Sequence, residues 1–149
     1  MIFVPYTELD YEIANSYLSL VDANDIIGKQ NNNTAWNALA DATKQMILMQ
    51  SSLAVDGALS YKGVKTSATQ LLKFPRDGLY TLPRNIIFAV AMTALKYSND
   101  DIFKGISREK IAKHETEYFE GKEIAQDVLA FLKPLRANTI KVEFGNSNE

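Results

Sequence analysis

The sequence predicts a mainly α-helical fold: a small helical bundle with a long ordered loop, a short β-hairpin and a C-terminal extended strand or tail. Three observations predict it. The seven Gly and four Pro among 149 residues fall below the roughly 12% of average usage, and they concentrate between Gly57 and Pro83, where five of the eleven lie. On either side, strong helix formers run without a breaker. The composition, 46% hydrophobic and 23% charged, is that of a globular chain, and a chain this long can bury about 70% of its unfolded surface in one core.

Residues 1–18 form an N-terminal arm that is either helical or extended. Thr7 and Asp10 offer a capped start, and Leu9, Ile13 and Tyr17 recur at helical spacing. Ser19 followed by Asp22 resembles a capping box with Asp in place of Glu, and Ala23, Ile26 and Ile27 come next, so a short helix is expected over 20–29. Asn31, Asn32 and Asn33 read as a loop or cap before Trp36. A second helix is expected over 34–55, with a break open at Asp41, which could cap a second segment. Leu48 with Val55, and Ile47 with Ala54, stand seven residues apart and share one face turned to a core.

Residues 57–82 lack helical periodicity and hold at most one helical turn near 67–72. Loops this long are functional or disordered, and here Tyr61, Val64, Leu71, Leu72, Phe74, Leu79 and Tyr80 favour order. Pro83 suits a first helical position. The run 86–95 is apolar on nearly every side, the mark of a central core helix. Partial alternation over 106–119 suits a half-exposed strand or hairpin. Ile124, Val128, Phe131, Leu132 and Leu135 share the face of a last helix over 123–133, stopped by Pro134. Ile140 to Phe144 alternates strictly, a strand that needs a partner from elsewhere.

The same arithmetic excludes whole classes of chemistry. With no Cys and one His, His114, the chain offers no thiol nucleophile, thiolate zinc site or His-rich metal site. His114-Glu115-Thr116-Glu117-Tyr118 begins like HExxH, but Tyr118 replaces the second ligand. Gly57 and Gly63 lack the Lys-Ser/Thr ending of a phosphate loop, and no Ser sits in a nucleophile elbow. No catalytic, cofactor or metal residue is expected, and the chain is not read as an enzyme. Met1 to Asp10 lacks the basic start of a signal peptide. The longest uncharged apolar stretches, 45–55 and 86–95, fall short of the ~20 residues of a membrane span. Net charge is -2, which gives no general field for nucleic acid. Yet Lys62, Lys65, Lys73, Arg76 and Arg84 stand against Asp77 alone, a local +4. With Tyr61, Phe74 and Tyr80 interleaved, this stretch either stacks bases and tracks phosphates, or anchors its rings on the core while the cations reach outward or meet acids of a neighbouring subunit.

The order of short motifs carries a resemblance. Asn15-Ser16-Tyr17-Leu18-Ser19-Leu20-Val21-Asp22-Ala23-Asn24, Trp36, Tyr61-Lys62-Gly63, Gln70-Leu71-Leu72-Lys73-Phe74-Pro75-Arg76-Asp77-Gly78 and Leu82-Pro83 resemble a tailed-phage family. Its members are labelled head-to-tail connector (adaptor) proteins or DnaT-like single-stranded DNA-binding proteins. Arg108-Glu109-Lys110-Ile111 with Glu117-Tyr118, and the run from Val128 to Leu135, are similar to its charged hairpin and last helix. Ala112 stands where a Gly is usual.

The resemblance implies a helical adaptor domain over 19–135 and a C-terminal extension over 136–149. It implies a homo-oligomeric ring of twelve copies beneath the portal protein in the virion neck, made in the host cytoplasm. Further partners would be the next neck or tail protein and genomic DNA passing through the channel, with no cofactor and no membrane. Gln70, Phe74, Pro75 and Arg76 are the expected subunit contacts, since aromatic residues and Arg favour interface centres. Ile140, Val142 and Phe144 are the expected portal contacts, a strand suited to joining another chain's sheet. Lys62, Lys65, Lys73 and Arg84 are the candidates for facing DNA. Under the family's other label, the basic loop binds single-stranded DNA.

Overall fold

Ser19 opens the first helix as its spacing predicts: its Oγ accepts the backbone N–H of Asp22 at 3.1 Å, and α1 runs Leu20–Gly28. The computed structural model describes residues 2–100 and 124–137. They are mainly helical and contain isolated β-bridges but no sheet. The expected hairpin at 106–119, with His114, and the strand at 140–144 lie outside the described residues, as do the candidate portal contacts Ile140, Val142 and Phe144.

The asparagines after α1 form the expected turn. Asn33 Nδ2 donates to the Gly28 carbonyl at 3.0 Å, which satisfies an orphan C=O at the helix end. The helix expected over 34–55 is two helices, α2 (Thr34–Ala38) and α3 (Asp41–Ala58). Leu39 and Ala40 between them are extended. Asp41 is not the cap; it lies in the first turn of α3, where a carboxylate meets the positive end of the helix dipole. Pro83 is the N-cap of α4 (Arg84–Ser98) and not its first residue. The last helix, α5, covers Gln126–Leu132. Pro134 does not stop the chain abruptly but tightens it into a 3-10 turn over Lys133–Leu135.

Helix α4 is the hub and packs against each of the other four. Ile86, Ala89, Val90 and Ala94 meet Ile47, Leu48 and Val55 of α3, Ile27 of α1, and Val128 and Leu132 of α5 in one core. The small alanines let backbones approach closely. Trp36 is fully buried, and its Nε1 donates to Asn24 Oδ1 at 2.9 Å, locking α2 to α1. No described helix is long and apolar enough to cross a membrane.

The arm adopts neither expected form. It closes on itself through Tyr6 N to Ser16 O at 2.8 Å and Asn15 N to Val4 O at 2.9 Å, with turns between. Thr7 Oγ1 accepts the Asp10 N–H at 3.0 Å, so the predicted cap exists but serves a turn. Ala14, Tyr17 and Leu18 enter the same core as the helices.

Candidate nucleic-acid interface

Residues 59–83 connect α3 to α4 without a helix, and their order is built from beneath. Tyr61 and Phe74 are buried and meet edge-to-face at 4.9 Å, and Tyr17 adds a third ring 6.4 Å from Phe74. Under these rings lies Asp56, 7% exposed at the end of α3. Its Oδ1 accepts the Tyr17 hydroxyl at 2.5 Å and its Oδ2 accepts the Lys73 N–H at 3.0 Å. The Tyr17 oxygen in turn accepts the Phe74 N–H at 3.0 Å. A buried carboxylate is tolerable only when bonded in this way. Burial nevertheless raises the Asp56 pKa from 3.8 to about 6, against the opposing pull of Tyr17, the Lys73 amide and the Lys73 and Lys65 ammoniums. Burial, with the Asp56 charge beside it, holds the Tyr17 hydroxyl well above its ordinary value, so it remains a donor.

Arg76 and Gln70 knit the loop from within. Arg76 Nε donates to Lys62 O at 2.7 Å, Nη1 to Lys73 O at 3.0 Å, and Nη2 to the Gly63 carbonyl. The Gln70 amide donates to Leu72 O at 2.8 Å and Pro75 O at 2.9 Å, while its oxygen accepts the Ser67 N–H at 2.9 Å. The Asp77 carboxylate accepts the Val64 N–H at 2.9 Å. Gly63, at φ +80°, is required there because a Cβ would overlap that carboxylate. The arm is pinned to the loop by Glu12, which accepts Ser67 Oγ at 2.6 Å and Thr69 Oγ1 at 2.8 Å. These two hydroxyls lower the Glu12 pKa.

The four expected subunit contacts are held by the loop itself. Gln70, Phe74 and Pro75 are buried within the chain, and the half-buried Arg76 has its fork engaged by carbonyls of its own loop while it borders two surface clefts. The reason is general: a segment without helix or sheet leaves many buried backbone groups to satisfy, and Arg and Gln supply several donors each. Tyr61 and Phe74 likewise anchor the loop and do not offer faces to bases. Tyr80 stays about half exposed, set against Tyr11 at 5.5 Å.

The candidate DNA-facing cations divide. Lys65 and Lys73 line one cleft of about 560 Å³ together with Tyr61 and Val64. Lys65 Nζ donates to Gln70 O at 3.2 Å, and Lys73 Nζ stands 5.8 Å from the Tyr61 ring. Lys62 opens on an adjoining, smaller cleft shared with Arg76. Arg84 lies apart, on a cleft with Phe88 and Phe131. Among the described residues the ion pairs are Lys29–Asp25 and Lys96–Asp127, and none of the loop's cations enters one. The neighbouring acids Asp56 and Asp77 are turned into the loop's own hydrogen bonds. Sequence reading missed Asp56 and Glu12; the one available signal for Asp56 was its spacing of four from Ser52, two polar residues on a buried side of α3.

The class this defines is a small helical module whose central loop shows lysines outward over an aromatic floor. A family model described as "Putative DnaT-like ssDNA binding protein" matches residues 10–142, and the chain belongs to that family. No curated protein and no solved structure matches it.

Proposed function

We propose that the chain binds single-stranded DNA through the outer surface of its central loop, with Lys62, Lys65 and Lys73 contacting phosphates. The observation that carries the reading is the loop's division of charge: Asp56 and Asp77 are engaged by the loop's own hydrogen bonds, and among the described residues none of its lysines enters an ion pair. Membership of the DnaT-like family supports it. Binding is by charge and not by stacking on Tyr61 or Phe74, whose rings are buried. No catalytic step belongs to it.

Filter binding of a single-stranded oligonucleotide over a salt series tests this. Each phosphate neutralised contributes about -0.7 to the slope of log affinity against log salt. Lys62→Glu with Lys65→Glu is expected to flatten that slope and to cut affinity at least tenfold. Absence of salt-sensitive retention at micromolar wild-type protein sinks the reading.

A second reading is favoured by a separate observation. Leu9, Ile13, Leu71 and Leu79 are large apolar residues left 94%, 58%, 64% and 61% exposed, on the arm and loop that Leu71 N to Glu12 O ties together at 3.2 Å. Several such residues on adjoining segments suit a buried contact in an assembly. In this reading the protein is a head-to-tail adaptor of a tailed-phage virion: a ring of twelve copies in the neck, between the portal protein and the next neck or tail protein, with genomic DNA passing through. Ile140, Val142 and Phe144 then attach it to the portal. Electron microscopy of the protein mixed with its portal should show a ring, and deletion of residues 140–149 should abolish capture; unimpaired capture removes the C-terminal segment from that role.

A further inference from the structure

We infer that the cleft between the N-terminal arm and α1 receives the Lys62–Lys65 tip of the loop from a second copy of the chain. The cleft holds about 360 Å³. Glu8 and Asp22 stand at it with no cation among its lining residues, and Leu18, Ile26, Leu82 and Ile87 give it an apolar lining. Asp25 also borders it but is shared with Lys29 at 3.5 Å. Tyr6 lines the cleft as well.

The loop tip is the complement of this cleft. Lys62-Gly63-Val64-Lys65 carries an apolar side chain, Val64, 69% exposed between two exposed lysines. Two ammoniums meet two carboxylates, and Val64 meets the apolar lining. Such charge matching sets register and partner choice. Because cleft and tip are different surfaces, the contact is head-to-tail, and repetition gives a closed ring or an open filament. The inference goes beyond DNA binding and deepens the assembly reading, on which it rests for its context.

Sedimentation of the full chain over a concentration series tests it, with Asp22→Lys as the cleft variant and Lys65→Glu as the tip variant, both at exposed positions. Wild-type mass is expected to rise with concentration and to fall with added salt. Each variant alone should remain monomeric, and an equal mixture should regain assembly, since one variant supplies an intact tip, the other an intact cleft, and the two reversed charges are again opposite in sign. A wild type monomeric throughout, a variant that assembles like wild type, or a mixture that stays monomeric overturns the inference. Asp22→Lys lies off the lysine surface and should still retain oligonucleotide, so loss of assembly and loss of DNA binding are read separately.

Discussion

The Tyr17 hydroxyl donates to the Asp56 carboxylate at 2.5 Å across 39 residues of sequence, and around this pair the central loop is seated on the helices. The same hydroxyl accepts the Phe74 N–H and the other carboxylate oxygen accepts the Lys73 N–H. Two side chains, one from the arm and one from α3, thus satisfy two consecutive amides of a segment that has no helix or sheet of its own. Tyr17→Phe leaves a buried N–H and one carboxylate oxygen unpaired. Each buried unpaired group costs about 1–3 kcal/mol, so urea unfolding should show a loss of about 2–6 kcal/mol. A loss near zero would mean that water enters and replaces the hydroxyl.

The raised pKa of Asp56 makes stability depend on pH. Its folded value of about 6 exceeds the ordinary 3.8 because burial disfavours the charged form. Between these values the folded chain binds the proton more readily than the unfolded chain does, so this group's contribution increases as pH falls from 7 to 4. The shift corresponds to on the order of 3 kcal/mol across that window. Asp56→Asn removes the titration and also one of two acceptors. Urea midpoints at several pH values should slope in the wild type and lie flatter in the variant. Parallel profiles would assign the slope to other groups.

Arg76 is expected to act on folding rather than on assembly. Its guanidinium joins Lys62, Gly63 and Lys73 carbonyls from the two sides of the loop, a planar fork that Lys cannot reproduce. Arg76→Ala should cost about 2–3 kcal/mol in the monomer, and Arg76→Lys should restore little of it. Thermal melts at concentrations too low for association give the comparison. Full stability of the Ala variant, with weakened association, would return Arg76 to the interface.

What was legible in the sequence was local. Ser19 caps α1 because the cap and its amide are three residues apart, and the apolar run of α4 marks its central place without any partner being known. The loop's order followed from its aromatic content. The direction in which Gln70, Pro75 and Arg76 face did not, because the residue types favoured at interface centres are the same ones that satisfy carbonyls within a loop. Asp56 was invisible for a related reason: its partners lie 39 and 17 residues away. The extended link at Leu39 and Ala40 has no Gly or Pro to announce it, so tertiary packing of Trp36 overrides a good local helix propensity.

Gln50 supplies a test of the core itself. It sits on α3, 1% exposed, and among the described residues neither its amide nitrogen nor its amide oxygen has a hydrogen-bond partner. Both polar atoms lose their water on folding and gain nothing in exchange, at about 1–3 kcal/mol for each such group. Met has nearly the same length and shape without the polar atoms, and its flexibility suits an existing space. Gln50→Met is therefore expected to stabilise the chain by about 1–3 kcal/mol, read as a thermal midpoint raised by roughly 2–4 °C for each kcal/mol in a protein of this size. Gln50→Ala provides the contrast, since it removes the same polar atoms but opens a cavity, and should fall below Gln50→Met. If Gln50→Met melts lower than wild type, the carboxamide has a partner in solution, such as an internal water.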